Sequence, residues 1–265
     1  MRNYRIPTLT IAGSDSSGGA GVQADLKTFS AIGTYGMSVI TAITAQNTQG
    51  VFLVEDLSKE IIEKQIEVVF EDIEPAAVKI GMVSSPEIIN SIVTSLNKYK
   101  PKYLVVDPVM ISKSGYSLLK PEAKKSLIEE LIPRAYVITP NTLEAEEIVG
   151  IKINTVEDMR EVGQKILELG PKYVLMKGGH LEGDAVDVLI GKNIFEVYKQ
   201  ERLERKNTHG TGCTLSSAIT SHLALGYDIV EAVRLSKEYI TEAIRHSFDI
   251  GKGVGPVNHF YKFNE

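Results

Sequence analysis

The sequence predicts an α/β protein, a mostly parallel sheet with helices on both faces. Three observations lead there. Short apolar runs alternate with segments of helical periodicity along the whole chain. Runs such as Tyr103-Leu104-Val105-Val106 are continuously apolar, as strands buried on both faces of a parallel sheet are. Polar residues and glycines collect just after these runs, where open parallel sheets place their ligands.

In order, a strand at Thr8 to Ala12 leads into Gly13-Ser14-Asp15-Ser16-Ser17-Gly18-Gly19-Ala20-Gly21 and a helix from Val22 to Ile32. A strand follows at Val39 to Ala45. Residues 28–54 carry no charge, yet threonines, amides and glycines interrupt them, so a buried strand and its turns are expected rather than a membrane span. A helix at Lys59 to Asp72 places Ile62, Ile66, Val69 and Ile73 on one face, and a strand runs from Ala76 to Ile80. Further helices are expected at Pro86 to Tyr99, Pro121 to Ile132 and Val156 to Leu169, with strands at Tyr136 to Ile138 and Tyr173 to Met176. Ala185 to Ile190 and Ile194 to Tyr198 flank Gly191-Lys192-Asn193 and predict a hairpin. Helices near Leu215 to Leu225 and at Ile229 to Arg245 complete one domain over residues 1–265, with no repeat or linker.

Composition excludes several functions. A formal charge of -5 offers no basic field for nucleic acid. The single cysteine rules out an internal disulfide framework and a cysteine-rich zinc site, and fits a reducing cytosol. The N-terminus shows no export-signal pattern, so a cytoplasmic location is expected. Gly19-Ala20-Gly21-Val22-Gln23-Ala24 matches a dinucleotide-binding turn. It follows its strand too distantly, and no acidic residue stands between Asp25 and Glu55 to take a ribose hydroxyl.

The most informative stretch is Asn207-Thr-His-Gly-Thr-Gly-Cys213. Gly210, Thr211 and Gly212 open a helix, whose first N–H groups and positive dipole end suit an oxyanion. Cys213 stands in the first turn, where the dipole favours a thiolate. On the strand-end rim, Asp107, Asn141 and Glu144 are oxygen donors suited to a hydrated Mg2+, and Lys177 supplies a point charge for phosphate. Singly each has an ordinary explanation: Asp107 ends a strand, Asn141 caps a helix, Lys177 is solvated. On one edge they point to phosphoryl transfer, which needs mainly positioning and charge neutralisation. No Gly-x-x-x-x-Gly-Lys occurs, which disfavours the P-loop families.

Several of these segments, in order, are similar to the motifs of one family. They are Ala12 to Asp25, Ala45-Gln46-Asn47-Thr48, Lys79-Ile80-Gly81-Met82, Val106 to Met110, Thr139 to Ala145, Lys177-Gly178-Gly179-His180 and His209 to Cys213. The chain resembles the ribokinase-like superfamily, and within it the hydroxymethylpyrimidine/phosphomethylpyrimidine kinases of thiamine biosynthesis.

The resemblance implies a three-layer α/β/α sandwich with the lid of the sugar kinases reduced or absent, and a homodimer. It also implies that Mg-ATP phosphorylates 4-amino-5-hydroxymethyl-2-methylpyrimidine and then its monophosphate. Gln46 and Asp25 would bind the aminopyrimidine, with Gly13, Met82 and Val109 lining its pocket. Asn141, Lys177, Thr211 and Gly212 would contact ATP and its phosphates, and Asp107 and Glu144 would hold Mg2+ partly through water. Cys213 would be the base in place of the sugar kinases' aspartate, and His209 is a candidate for holding the substrate's phosphate. Gln49 departs from the family, where an apolar residue is common. Two alternatives stay open: pyridoxal kinase activity, and a non-catalytic pyrimidine-binding regulator.

Overall fold

In the computed structural model, residues 5–111, 115–179 and 183–263 are described. One nine-stranded sheet runs through them, in the order β3-β2-β1-β4-β5-β6-β7-β8-β9. Its parallel centre is β2 (Tyr35–Asn47), β1 (Pro7–Asp15), β4 (Ala77–Ile80), β5 (Leu104–Val106), β6 (Val137–Ile138) and β7 (Tyr173–Lys177). Antiparallel strands close both sides: β3 (Gly50–Asp56) beyond β2, and the hairpin of β8 (Ala185–Gly191) and β9 (Ile194–Gln200) beyond β7. All nine strands share that sheet, so no separate lid sheet occurs among the described residues.

Continuous apolar strands follow from two buried faces. Leu104 and Val106 point into the larger core, formed with α2 (Lys59–Asp72), α3 (Pro86–Tyr99), α5 (Thr142–Val149) and α6 (Val156–Leu167). Val105 points the other way, into a core with α7 (Thr211–Ala224) and α8 (Ile229–Arg245). The same alternation recurs at Val137/Ile138 and at Leu175 between Val174 and Met176. Helix α1 (Gly21–Ile32) packs on β1, β2 and α7, on the side opposite α2 and α3. The chain thus leaves β1 toward one face and β4 toward the other, and a crevice opens at the strand ends between them.

Two expectations are corrected. The uncharged stretch holds the expected strand in β2, with Val39, Thr41, Ala42 and Thr44 buried, but its turn at Thr48-Gln49 leads into an edge strand the sequence did not suggest, β3, whose Phe52 and Leu53 are 67% and 64% exposed. The helix expected over Pro121 to Ile132 is regular only at α4 (Ala123–Ser126), widens into a π-turn over Leu127–Leu131, and tightens to a 3-10 turn at Ile132–Arg134. Pro133, which has no N–H and clashes with a preceding carbonyl, explains that ending.

Candidate active site

The site is built on the start of α7. Gly210 precedes it with φ 80°, the left-handed region that glycine enters freely, and no side chain caps the helix. A Cβ on Gly210 would stand 1.8 Å from the Gly19 carbonyl oxygen, and one on Gly19 would stand 2.3 Å from the His209 ring. The loop after β1 and the turn before α7 therefore interlock through glycines, and the first N–H groups of α7 stay unscreened by side chains.

Asp15 organises that loop. Its carboxylate accepts from the Ser17 N–H and hydroxyl (both 2.8 Å), from the N–H groups of Gly19 (3.1 Å) and Ala20 (2.8 Å), and from His209 Nε2 (2.8 Å). Burial alone would raise its pKa, but the bonds from His209 and Ser17 prevail and hold it at about 2. Because His209 Nε2 gives its proton to Asp15, the Gln46 amide nitrogen 3.4 Å away makes a contact rather than a hydrogen bond. The Gln46 donors remain available to a ligand. Thr44 Oγ1 donates to Gln46 Oε1 (3.2 Å), and a cavity of about 340 Å3 lies against Gln46 and His209. Gly13 and Met82 face each other across the crevice floor, since a Cβ on Gly13 would touch the Met82 sulfur at 3.0 Å. Val109, beyond the end of β5, is half-buried.

Asp107, at the end of β5, accepts from Lys177 Nζ (2.9 Å) and Thr139 Oγ1 (3.1 Å) at one oxygen, and from Ser216 Oγ (3.4 Å) at the other. Burial works against the Lys177 ammonium, but Asp107 and Glu144 outweigh it and hold its pKa above the lysine range. A Cβ on Gly212 would lie 3.5 Å from both Asp107 Oδ2 and Lys177 Nζ, so this ion pair borders the α7 cradle. Asn141 caps α5: its side chain accepts from the Glu144 N–H (2.9 Å) while Glu144 Oε2 accepts from the Asn141 N–H (2.8 Å). Burial, reinforced by Asp107 against the pull of Lys177, pushes the Glu144 carboxyl up to about 7. A buried carboxyl poised this way gains from a nearby cation. The donors fit a Mg2+ held largely through water rather than a full protein cage, and no cluster of three ligating side chains occurs among the described residues.

Two expectations change here. Asp25 does not face the crevice: it is 0% exposed, with Oδ2 accepting from Thr10 Oγ1 (2.6 Å) and Lys79 Nζ (2.8 Å) and Oδ1 from Ser217 Oγ (2.7 Å). A carboxylate so enclosed positions its neighbours instead of meeting a ring. Cys213 is not favoured as a thiolate, because burial, together with Asp25 and Asp107, overrides Lys79 and pushes the thiol up to about 11. His180 lies outside the described residues.

Sequence reasoning missed Asp15 and Lys79 as organisers. Lys79, 0% exposed in an otherwise apolar strand, carried a signal, since an unpaired buried lysine is costly and implies a partner. Asp15 carried none beyond its place in a loop of glycine and serine.

Comparison with known proteins matches this geometry to a sequence family. The profile of the phosphomethylpyrimidine kinase family matches residues 15–258. The chain belongs to that family. The kinase is 51% identical over 259 residues to the hydroxymethylpyrimidine/phosphomethylpyrimidine kinase of Rhizobium meliloti, covering 96% of this chain and 97% of the relative. It is 76% identical to the phosphomethylpyrimidine kinase of Clostridium difficile 630, whose crystal structure superposes with a TM-score of 0.83 over 91% of this chain and 100% of that one. An ADP complex of Bacillus subtilis pyridoxal kinase gives a TM-score of 0.91 at 40% identity, over 98% of this chain and 100% of that one. The ribokinase-like architecture of the kinase agrees with these neighbours.

Proposed function

We propose that the chain uses Mg-ATP to phosphorylate 4-amino-5-hydroxymethyl-2-methylpyrimidine at its hydroxymethyl group, and then the resulting monophosphate, as steps of thiamine biosynthesis. The observation that carries this reading is the uncapped, glycine-lined start of α7 bordered by the Asp107–Lys177 ion pair. Donors preorganised around a transferring phosphoryl group account for most of what such an enzyme must supply.

Thr211 and Gly212 present backbone N–H groups to the γ-phosphate, Lys177 adds positive charge beside them, and Asn141 holds the adjoining helix start. Asp107 and Glu144 would hold Mg2+ partly through water, and the ion supplies neutralisation of charge on the β- and γ-phosphates. Gln46, with its donors unspent, orients the aminopyrimidine over Gly13 and Met82, and Val109 would line the same pocket. Cys213, in its minor thiolate form, would take the hydroxyl proton in the first transfer. Asp25 acts from beneath by fixing Lys79 and Ser217. A homodimer, with the exposed edge strand β3 as the contact, belongs to the same reading.

Pyridoxal is the second acceptor to test, because the pyridoxal kinase fold superposes closely and that ring also bears a hydroxymethyl group. A coupled assay of ATP consumption with the pyrimidine alcohol, its monophosphate and pyridoxal separates the readings. Turnover of the two pyrimidines is expected to exceed that of pyridoxal. A clear preference for pyridoxal would replace the proposal, and tight pyrimidine binding without ATP turnover would favour a regulator.

A further inference from the structure

The structure assigns a place to the phosphate of the second substrate: we propose that the cavity beside Gln46 and His209 is its subsite, with Lys206 and Lys252 as counter-charges. This rests on the two-step kinase reading and extends it.

The cavity measures about 340 Å3, within the range of small-ligand sites, and its wall includes Gln46, Asn47, Gln49, Lys206, His209 and Lys252. Its shape is fixed by backbone. The Gly253 N–H donates to Thr48 Oγ1 (3.1 Å) and the Val254 N–H to the Thr48 carbonyl (2.9 Å). A Cβ on Gly253 would fall 1.9 Å from that carbonyl oxygen, so the segment carrying Lys252 docks on the turn after Gln46 with no room to spare.

The charge pattern then selects an anion. Other lysines near the site are committed: Lys27 to the Gly18 carbonyl (2.7 Å), Lys79 to Asp25 and Lys177 to Asp107. Lys206 and Lys252 have no ion pair or side-chain hydrogen bond among the described residues. Neighbouring carboxylates are occupied, Asp15 by His209 and Asp249 by the Asn207 amide (2.7 Å). The concave wall is therefore left with two uncompensated ammonium groups, which as point charges suit a phosphate. An uncharged alcohol gives them nothing to bind.

The location fits the chemistry of the second transfer. An oxygen of the substrate's phosphate attacks the γ-phosphorus of ATP, a P–O–P bond forms, and the bond to the ADP oxygen breaks with its electron pair leaving on ADP. The accepting phosphate must then lie between the α7 cradle and its counter-charges. His209 both lines the cavity and directly precedes Gly210, so one wall of the cavity adjoins the residue that opens the cradle.

Lys206→Ala, Lys252→Ala and the double variant of the full chain, with KM and kcat measured separately for alcohol and monophosphate, test this. Both side chains are exposed, and thermal unfolding checks that the variants are intact. In the double variant the ratio of KM for monophosphate to KM for alcohol is expected to rise about ten- to hundredfold, with smaller rises in the single variants and partial recovery in Lys206→Arg/Lys252→Arg. Equal changes for both substrates, or none, would overturn the subsite. A wild-type protein that phosphorylates the alcohol but not the monophosphate would also overturn it while sparing the first step. Failure with both pyrimidines would instead remove the underlying kinase reading.

Discussion

Cys213 meets opposed influences at the start of α7: the helix end and Lys79 favour its thiolate, while burial, with Asp25 and Asp107, outweighs them and raises its pKa to about 11. Burial prevails, so the neutral thiol predominates near pH 7 and only the minor thiolate form can act as base. A base of this kind matters only where a proton must leave. The alcohol has one to give, whereas a phosphate monoester, with a second pKa of about 6, already presents a bare oxygen. Cys213→Ala is therefore expected to slow the alcohol step by roughly 10²- to 10⁴-fold and the monophosphate step far less. Equal losses in the two assays would exclude the base role.

At Asp15 the consequence is stability. Its pKa is lowered from 3.8 to about 2, so folding gains from its ionised form above pH 3.8 and loses that gain as pH falls through 2. The span corresponds to about 2 kcal/mol. Acid unfolding of Asp15→Asn should start from lower stability and change less between pH 4 and 2; an unchanged acid limb would contradict the assignment. Asp107, Lys177 and Glu144 were legible as residues because each follows a recognisable strand. The burial of Asp25 was not, since the segments that cover it, β1, β4 and α7, come from distant parts of the chain.

Among elements, α7 was readable as a glycine-opened helix, though its first turn begins at Thr211, ahead of the apolar repeat starting at Leu215. What the local pattern does not contain is the second half of the cradle, the Gly19 loop pressed against Gly210. The elements beneath are held by one polar knot: Thr10 of β1, Asp25 of α1, Lys79 of β4 and Ser217 of α7. Removing one charge strands the other in the interior. Lys79→Met should cost about 3–5 kcal/mol in urea unfolding, and Lys79→Met/Asp25→Leu should recover much of it. If the double variant is no better than the single, the two charges are not a stabilising pair.

For the whole molecule, strand-helix alternation and doubly buried strands gave the layer architecture directly. The order of strands and the added edge β3 were not accessible, because an uncharged stretch reads alike whether it is covered by its own chain or left open. Phe52 and Leu53 remain exposed on that edge and Ile43 on the adjoining β2, a surface monomers seldom keep bare. Under the proposed homodimer, Phe52→Lys/Leu53→Glu should shift the sedimentation mass from two chains to one without loss of helical content; an unchanged two-chain mass would place the contact elsewhere, and a wild-type mass of one chain would remove the dimer.

The bonds that complete the site join distant parts of the sequence: Asp15 to His209, Asp25 to Ser217, and Thr48 to Gly253, across 194, 192 and 205 positions. During synthesis the first loop therefore stays unbraced until the segments carrying His209, Ser217 and Gly253 have been made. Closing such long loops is slow and gains nothing until both partners exist. A nascent chain made only as far as residue 251 would carry every residue assigned to the γ-phosphate and metal, but not Lys252, Gly253 and Val254 of the acceptor cavity's wall. The proposed acceptor subsite thus depends on segments made about two hundred residues after the first loop.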